Sequence, residues 1–146
     1  MKVQVILASH GSLAEGMCSA VRMVIGSAAD DVLAYGLDRW ETPGALREEI
    51  ENVMNLGDAQ RYLIFADIKG GSVANELMEL AARPGVCLVT GMNLPAVIAL
   101  VLAAQGGAAC TREEILKVLQ DAREQMLLFD EADFKQLNEE GDGELW

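Results

Sequence analysis

Histidine is almost missing from this chain: of 146 residues only His10 is one. Any imidazole chemistry is therefore the work of that residue, and a metal centre built on several histidines is excluded. Cysteine is scarce too. Cys18, Cys87 and Cys110 lie too far apart for a Cys-x-x-Cys motif and are odd in number, so buried free thiols in a reducing compartment are expected. No metal ligand set is expected, because the scattered acids have no His or Cys partner at ligand spacing.

Basic residues number 11 against 23 acidic ones, a net charge of −12. Phosphate backbones demand clustered Lys and Arg, so nucleic acid is not an expected partner. No apolar run approaches a membrane span, and Val3–Ala8 is too short for a secretory signal, so a cytoplasmic location is expected. Aromatics make up only 5% of a chain that is 51% apolar. That Ala, Val, Leu and Ile-rich balance, at the length of one ordinary domain, suits a sheet with helices on both faces.

What is present is a strand–helix alternation of about thirty residues. Val3–Ala8 reads as a strand buried on both faces. Ser12, with Glu15 three positions on, predicts a capping box for a helix whose apolar positions are Leu13, Met17, Val21, Val24 and Ile25, closed by Gly26. Val32–Leu37 is a weaker strand. Thr42-Pro43 opens a helix with Leu46, Ile50, Val53 and Met54 on its buried stripe and Gly57 at its end. Arg61–Asp67 is a third strand, Ile68–Ser72 a tight turn, and a helix follows from about Val73 to Ala82. Val86–Thr90 is the fourth strand. Asn93 caps a helix over Leu94–Ala104, and Thr111 with Glu114 forms a capping box for another through about Leu127. The predicted fold is α/β: a single-domain, doubly wound, mainly parallel sheet of order 2-1-3-4, with room for an antiparallel edge strand. Residues 1–129 form the domain, and 130–146 read as an exposed acidic tail, partly ordered where Leu127, Leu128 and Phe129 can pack.

Polar groups gather at the carboxyl rim of that sheet. His10 follows the first strand and Asp67 the third, which are neighbours at the switch point of a 2-1-3-4 sheet. Such an aspartate can fix the imidazole tautomer and leave the other ring nitrogen free as a nucleophile. Two glycine–serine helix starts, Gly11-Ser12 and Gly70-Gly71-Ser72, bring backbone N–H groups that favour an anion. Taken singly, each part has a plainer reading: Asp67 as the cap of a turn, Ser12, Ser72 and Asn93 as helix caps, Lys69 as a solvated charge. Together they describe phosphoryl transfer through a phosphohistidine.

The stretches Val5–Gly11, Phe65–Asn75 and Thr90–Pro95 resemble the IIA component of the mannose family, part of the bacterial phosphoenolpyruvate-dependent sugar phosphotransferase system. The resemblance runs from about Lys2 to Gln105 with order and spacing kept. It implies a phosphocarrier in which His10 accepts a phosphoryl group from the protein HPr and passes it to a IIB component, and through it to a IIC/IID membrane permease. Asp67 then orients the ring while Gly71 and Ser72 help hold the phosphate. It also implies a homodimer in which an edge strand, here including Met126–Phe129, is exchanged between subunits, and no cofactor. Val73 and Ala74 stand where the family often has proline and a bulky residue, and Lys69 and Ser12 also depart from it, which bears on which IIB is recognised. A regulatory or dihydroxyacetone-kinase module using the same histidine is the alternative. A histidine phosphatase is disfavoured because no arginine neighbours His10 or Asp67 in sequence.

Overall fold

The computed structural model describes residues 1–140. Four strands, β1 (Val3–Ser9), β2 (Leu33–Gly36), β3 (Arg61–Ala66) and β4 (Val86–Thr90), form one parallel sheet of order β2-β1-β3-β4. The predicted topology is thus the observed one. Side chains alternate along each strand, so β1 sends Val5 and Leu7 to one face and Ile6 and Ala8 to the other. Both faces are covered, which is why the central strands read as unbroken apolar runs.

Helices α1 (Leu13–Ile25), α4 (Leu94–Gln105) and α5 (Arg112–Arg123) cover the first face, around Phe65, Val97 and Leu100. Helix α2 (Pro43–Leu56) and the short α3 (Ser72–Leu77) cover the second, around Leu46, Ile50 and Ile64. The caps of three helices match expectation. Thr42 Oγ1 accepts from Ala45 N at 3.1 Å, Asn93 Oδ1 from Ala96 N at 2.9 Å, and Thr111 with Glu114 forms the reciprocal capping box.

Helix α1 differs from the prediction. Ser12 makes no side-chain cap; Ser9 Oγ, buried at the end of β1, instead accepts from Ala14 N at 2.7 Å. Glu15 turns away from the helix end and accepts from Gly36 N at 3.0 Å. The buried stripe shifts accordingly to Ala14, Cys18 and Val21, with Leu13 and Val24 exposed. The motif Ser-x-x-Glu is satisfied by sequence, but the sheet offers each group a better partner.

Two more differences follow from the third dimension. Helix α3 tightens after Leu77 into a 3-10 turn, Met78–Ala82. Helix α5 ends at Arg123 rather than near Leu127, and Met126, Leu127 and Leu128 stand exposed with Phe129 half-exposed, so the expected packing of this stretch is not seen. No edge strand forms there among the described residues of the single chain. Within the acidic segment a largely exposed helix forms, α6 (Glu131–Glu140); Asp142 and Glu144 lie outside the described residues. Cys18 and Cys110 are buried and Cys87 is half-buried, all three as free thiols.

Candidate functional site

The register of the sheet sets up the site. Ala8 of β1 pairs with Ala66 of β3, so the residues that follow leave the sheet together, with Asp67 beside Ser9 and His10. Asp67 Oδ2 accepts from the His10 backbone N–H at 2.9 Å and lies 2.9 Å from ring Nδ1. Its second oxygen, Oδ1, accepts from Ile68 N at 3.0 Å. The backbone bond fixes where the ring begins and the Nδ1 bond fixes its rotation. The same carboxylate thus bonds both the turn that follows it and the imidazole.

Asp67 is nearly enclosed, its side chain 9% exposed, while that of His10 is 46% exposed. Burial alone would push the Asp67 carboxyl up. The His10 N–H, the ring and its charge, and the Ile68 N–H outweigh that effect and hold it below its ordinary value of 3.8. With the carboxylate ionised, Nδ1 carries the proton and donates it to Oδ2. The lone pair of Nε2 then faces outward, 3.1 Å from Ser72 Oγ.

Ser72 is the first residue of α3, and Gly71 rather than Ser72 occupies the cap position, which leaves the hydroxyl for the ring. A side chain at Gly71 would crowd the ring. A Cβ there would stand 3.0 Å from His10 Cε1 and 2.7 Å from Ile68 Cγ2. Gly70 has φ +77 and its carbonyl accepts from Asn75 Nδ2 at 3.2 Å, a brace on the turn that sequence reasoning missed. Gly11 follows His10 at φ +50, and Ser12 is exposed. Among the described residues no hydrogen bond joins Gly11, Ser12 or Gly70 to the ring. Gly91 and Asn93 at the end of β4 line a separate small cavity with Phe65, Leu119 and Arg123.

Two groups beneath the site were also missed. Ser9 is the one buried polar side chain among the described residues, and its carbonyl accepts from Leu37 N at 3.0 Å. Glu15 was read as half of a capping box, yet it bridges to β2. Only the Ser9 position carried a signal, a hydroxyl on an otherwise apolar strand end. Among the described residues no three His, Cys, Asp or Glu side chains converge as a metal site, and no helix is long and apolar enough to cross a membrane.

A nucleophilic ring nitrogen held open beside a hydroxyl, with the other nitrogen pinned by a carboxylate, can take up and release an electrophilic group. The family model EIIA-man, described as PTS system fructose IIA component, matches residues 4–119. Among solved structures, the chain is similar to a candidate phosphoenolpyruvate-dependent sugar phosphotransferase system permease of Klebsiella pneumoniae, at 28% identity and a TM-score of 0.72, covering 88% of this chain and 91% of that one. It is also similar to the PTS IIA protein associated with the fucose utilization operon of Streptococcus pneumoniae, at 25% identity and a TM-score of 0.66, covering 94% and 97%. The mannose/sorbose specific IIA subunit of Enterococcus faecalis shares the fold, at 23% identity and a TM-score of 0.73, covering 89% and 96%.

Proposed function

We propose that this chain, which belongs to the EIIA-man family and is a mannose-family IIA phosphocarrier of the sugar phosphotransferase system, carries its phosphoryl group on Nε2 of His10. The observation that supports this reading above others is the Nδ1 contact with Asp67 at 2.9 Å, which leaves Nε2 unprotonated, its lone pair facing the Ser72 hydroxyl at 3.1 Å.

In the forward step the Nε2 lone pair attacks phosphorus on the phosphohistidine of HPr. A bond from Nε2 to phosphorus forms as the bond to the HPr nitrogen breaks, and its electron pair returns to the HPr ring. The His10 ring gains positive charge while Nδ1 keeps its proton, and the Asp67 carboxylate stabilises that charge. Ser72 Oγ donates to a phosphoryl oxygen. The backbone N–H groups of Gly11, Ser12 and Gly70 supply further donors to the same oxygens, while that of Gly71 is held by the Ile68 carbonyl. Gly71 keeps the approach clear. The reverse of this step, with a IIB component as acceptor, passes the phosphoryl group onward toward a IIC/IID permease, and the reading places the chain in the cytoplasm.

The proposal includes a homodimer. The free edge of β4 is flanked by a mainly apolar groove, lined by Cys87, Leu88, Val89, Ile115, Leu116 and Leu119 with Arg112 beside them. Met126–Phe129 of a second copy, exposed in the single chain, has the composition and length to add a strand there.

Incubation with phosphoenolpyruvate, enzyme I and HPr is expected to give one acid-labile phosphoryl group per chain, mapped to His10 by mass spectrometry. Stoichiometric labelling that persists in His10→Ala refutes the reading.

A further inference from the structure

Glu15, on α1 five residues after His10, has one side-chain oxygen satisfied and one not. Oε1 accepts from Gly36 N at 3.0 Å, whereas Oε2 is buried and without a hydrogen-bond partner. It is the one buried side-chain oxygen or nitrogen in that state among the described residues. Its surroundings hold acceptors. Around the point where residue 36 would carry a Cβ stand Glu15 Oε2 at 2.5 Å and Asp38 Oδ1 at 2.9 Å, with the Gly11 carbonyl oxygen closer still. No cation pairs with Glu15 or Asp38 among the described ion pairs.

Stability alone would place glutamine here. Its oxygen would keep the Gly36 N–H, and its NH₂ would give the crowded acceptors the donor they lack. A carboxylate retained at a cost in stability, next to the residue that follows His10, points to the site. The loop from Ser9 to Leu13 is tied to β2 by Leu37 N–H on Ser9 O and by Gly36 N–H on Glu15, while Asp67 ties it to β3. The Glu15 charge is therefore fixed in position beneath the loop that presents the imidazole.

We infer that Glu15 is a positioning residue that seats the His10 loop and whose uncompensated charge disfavours the phosphorylated state, keeping the phosphoryl group easy to release. The inference rests on the reading of His10 as the phosphorylated residue. A phosphoryl group on Nε2 adds negative charge that the free imidazole lacks, so repulsion from Glu15 and Asp38 acts on the loaded carrier alone. It raises the transfer potential of the bond from Nε2 to phosphorus without altering which bond forms or breaks.

The test is the partition of a fixed amount of phosphoryl group between HPr and the full chain, read by intact mass after equilibration. Glu15→Gln is expected to shift the partition measurably toward the phosphorylated chain, because it removes one unit charge beneath the His10 loop, and to raise the unfolding midpoint. Glu15→Ala, which removes the charge and also the Gly36 acceptor, is expected to shift the partition likewise but to lower the midpoint. A Glu15→Gln partition equal to that of the wild type overturns the inference, as does a lowered midpoint for that variant. If the wild type takes no phosphoryl group on His10, it is the underlying reading that fails.

Discussion

Replacing Asp67 by asparagine removes a charge and leaves the shape, which makes it the most direct probe of how the imidazole is controlled. The carboxylate accepts three N–H bonds: from His10 N and Nδ1 on Oδ2, and from Ile68 N on Oδ1. An amide has one oxygen, so in either orientation its NH₂ faces an N–H donor. With the oxygen toward His10, the bond to Ile68 N is lost and the tautomer is kept; with the oxygen toward Ile68, the bond to His10 N is lost and the amide NH₂ donates to Nδ1, which drives the proton onto Nε2. Each arrangement loses one bond, and only the first keeps Nε2 able to attack. What remains is a neutral bond to Nδ1 where a charged one stabilised the ring as it became positive. A hydrogen bond to a charged group contributes about 1.5–3 kcal/mol. Because the His10 side chain is 46% exposed, solvent screening favours the lower half of that range. The neutral bond that remains keeps about 1 kcal/mol of this, and each 1.36 kcal/mol is tenfold in rate, so Asp67→Asn should accept phosphoryl from HPr about two- to eightfold more slowly. Rapid-quench labelling measures this, with a thermal melt confirming that the variant is folded. A folded variant that transfers at the wild-type rate would refute the assignment of Asp67.

The same bonds set an acid dependence. Asp67 is held below 3.8 in the folded chain, so its contribution to stability is full above the ordinary carboxylate range and is lost as pH falls through the depressed value. The stability gap between wild type and Asp67→Asn in urea melts should therefore shrink as pH falls below about 4; a gap that persists unchanged to lower pH refutes the pairing. Gly71→Ala meets His10 Cε1 at 3.0 Å and Ile68 Cγ2 at 2.7 Å, with backbone φ −74 that any residue adopts. Since exposed Ile68 can yield, the expected stability loss in denaturant melts is only about 1 kcal/mol. The displaced ring should slow transfer about tenfold or more, and transfer at the wild-type rate counts against the close fit of ring and loop.

Much of the fold was legible because the strands carry a signal that needs no context. Val3–Ala8, Arg61–Ala66 and Val86–Thr90 are apolar on both parities, as a doubly covered parallel sheet demands, and Gly, Pro and capping residues mark the junctions. The pairing of His10 with Asp67 followed from strand order alone. Where reading failed, a local motif met a non-local competitor. Ser12 and Glu15 have the spacing of a capping box, but Ser9 Oγ reaches the helix start first and the Gly36 N–H captures the carboxylate. Leu127–Phe129 look like core by composition, yet the single chain leaves them no surface to pack against.

The sequence by itself determined which residues can do chemistry, since one histidine allows one imidazole, and it determined the order in which strands and helices alternate. Tertiary structure decided what each of those residues faces. It set which ring nitrogen carries the proton, freed the Ser72 hydroxyl for the other, and left a buried Glu15 oxygen without a partner beneath the His10 loop. The physical reason is one of range. Hydrophobic periodicity and capping propensities act over a few residues and are written in order along the chain. Tautomer, charge balance and close approach depend on groups such as His10 and Asp67, 57 positions apart, whose distance exists only once the sheet has closed.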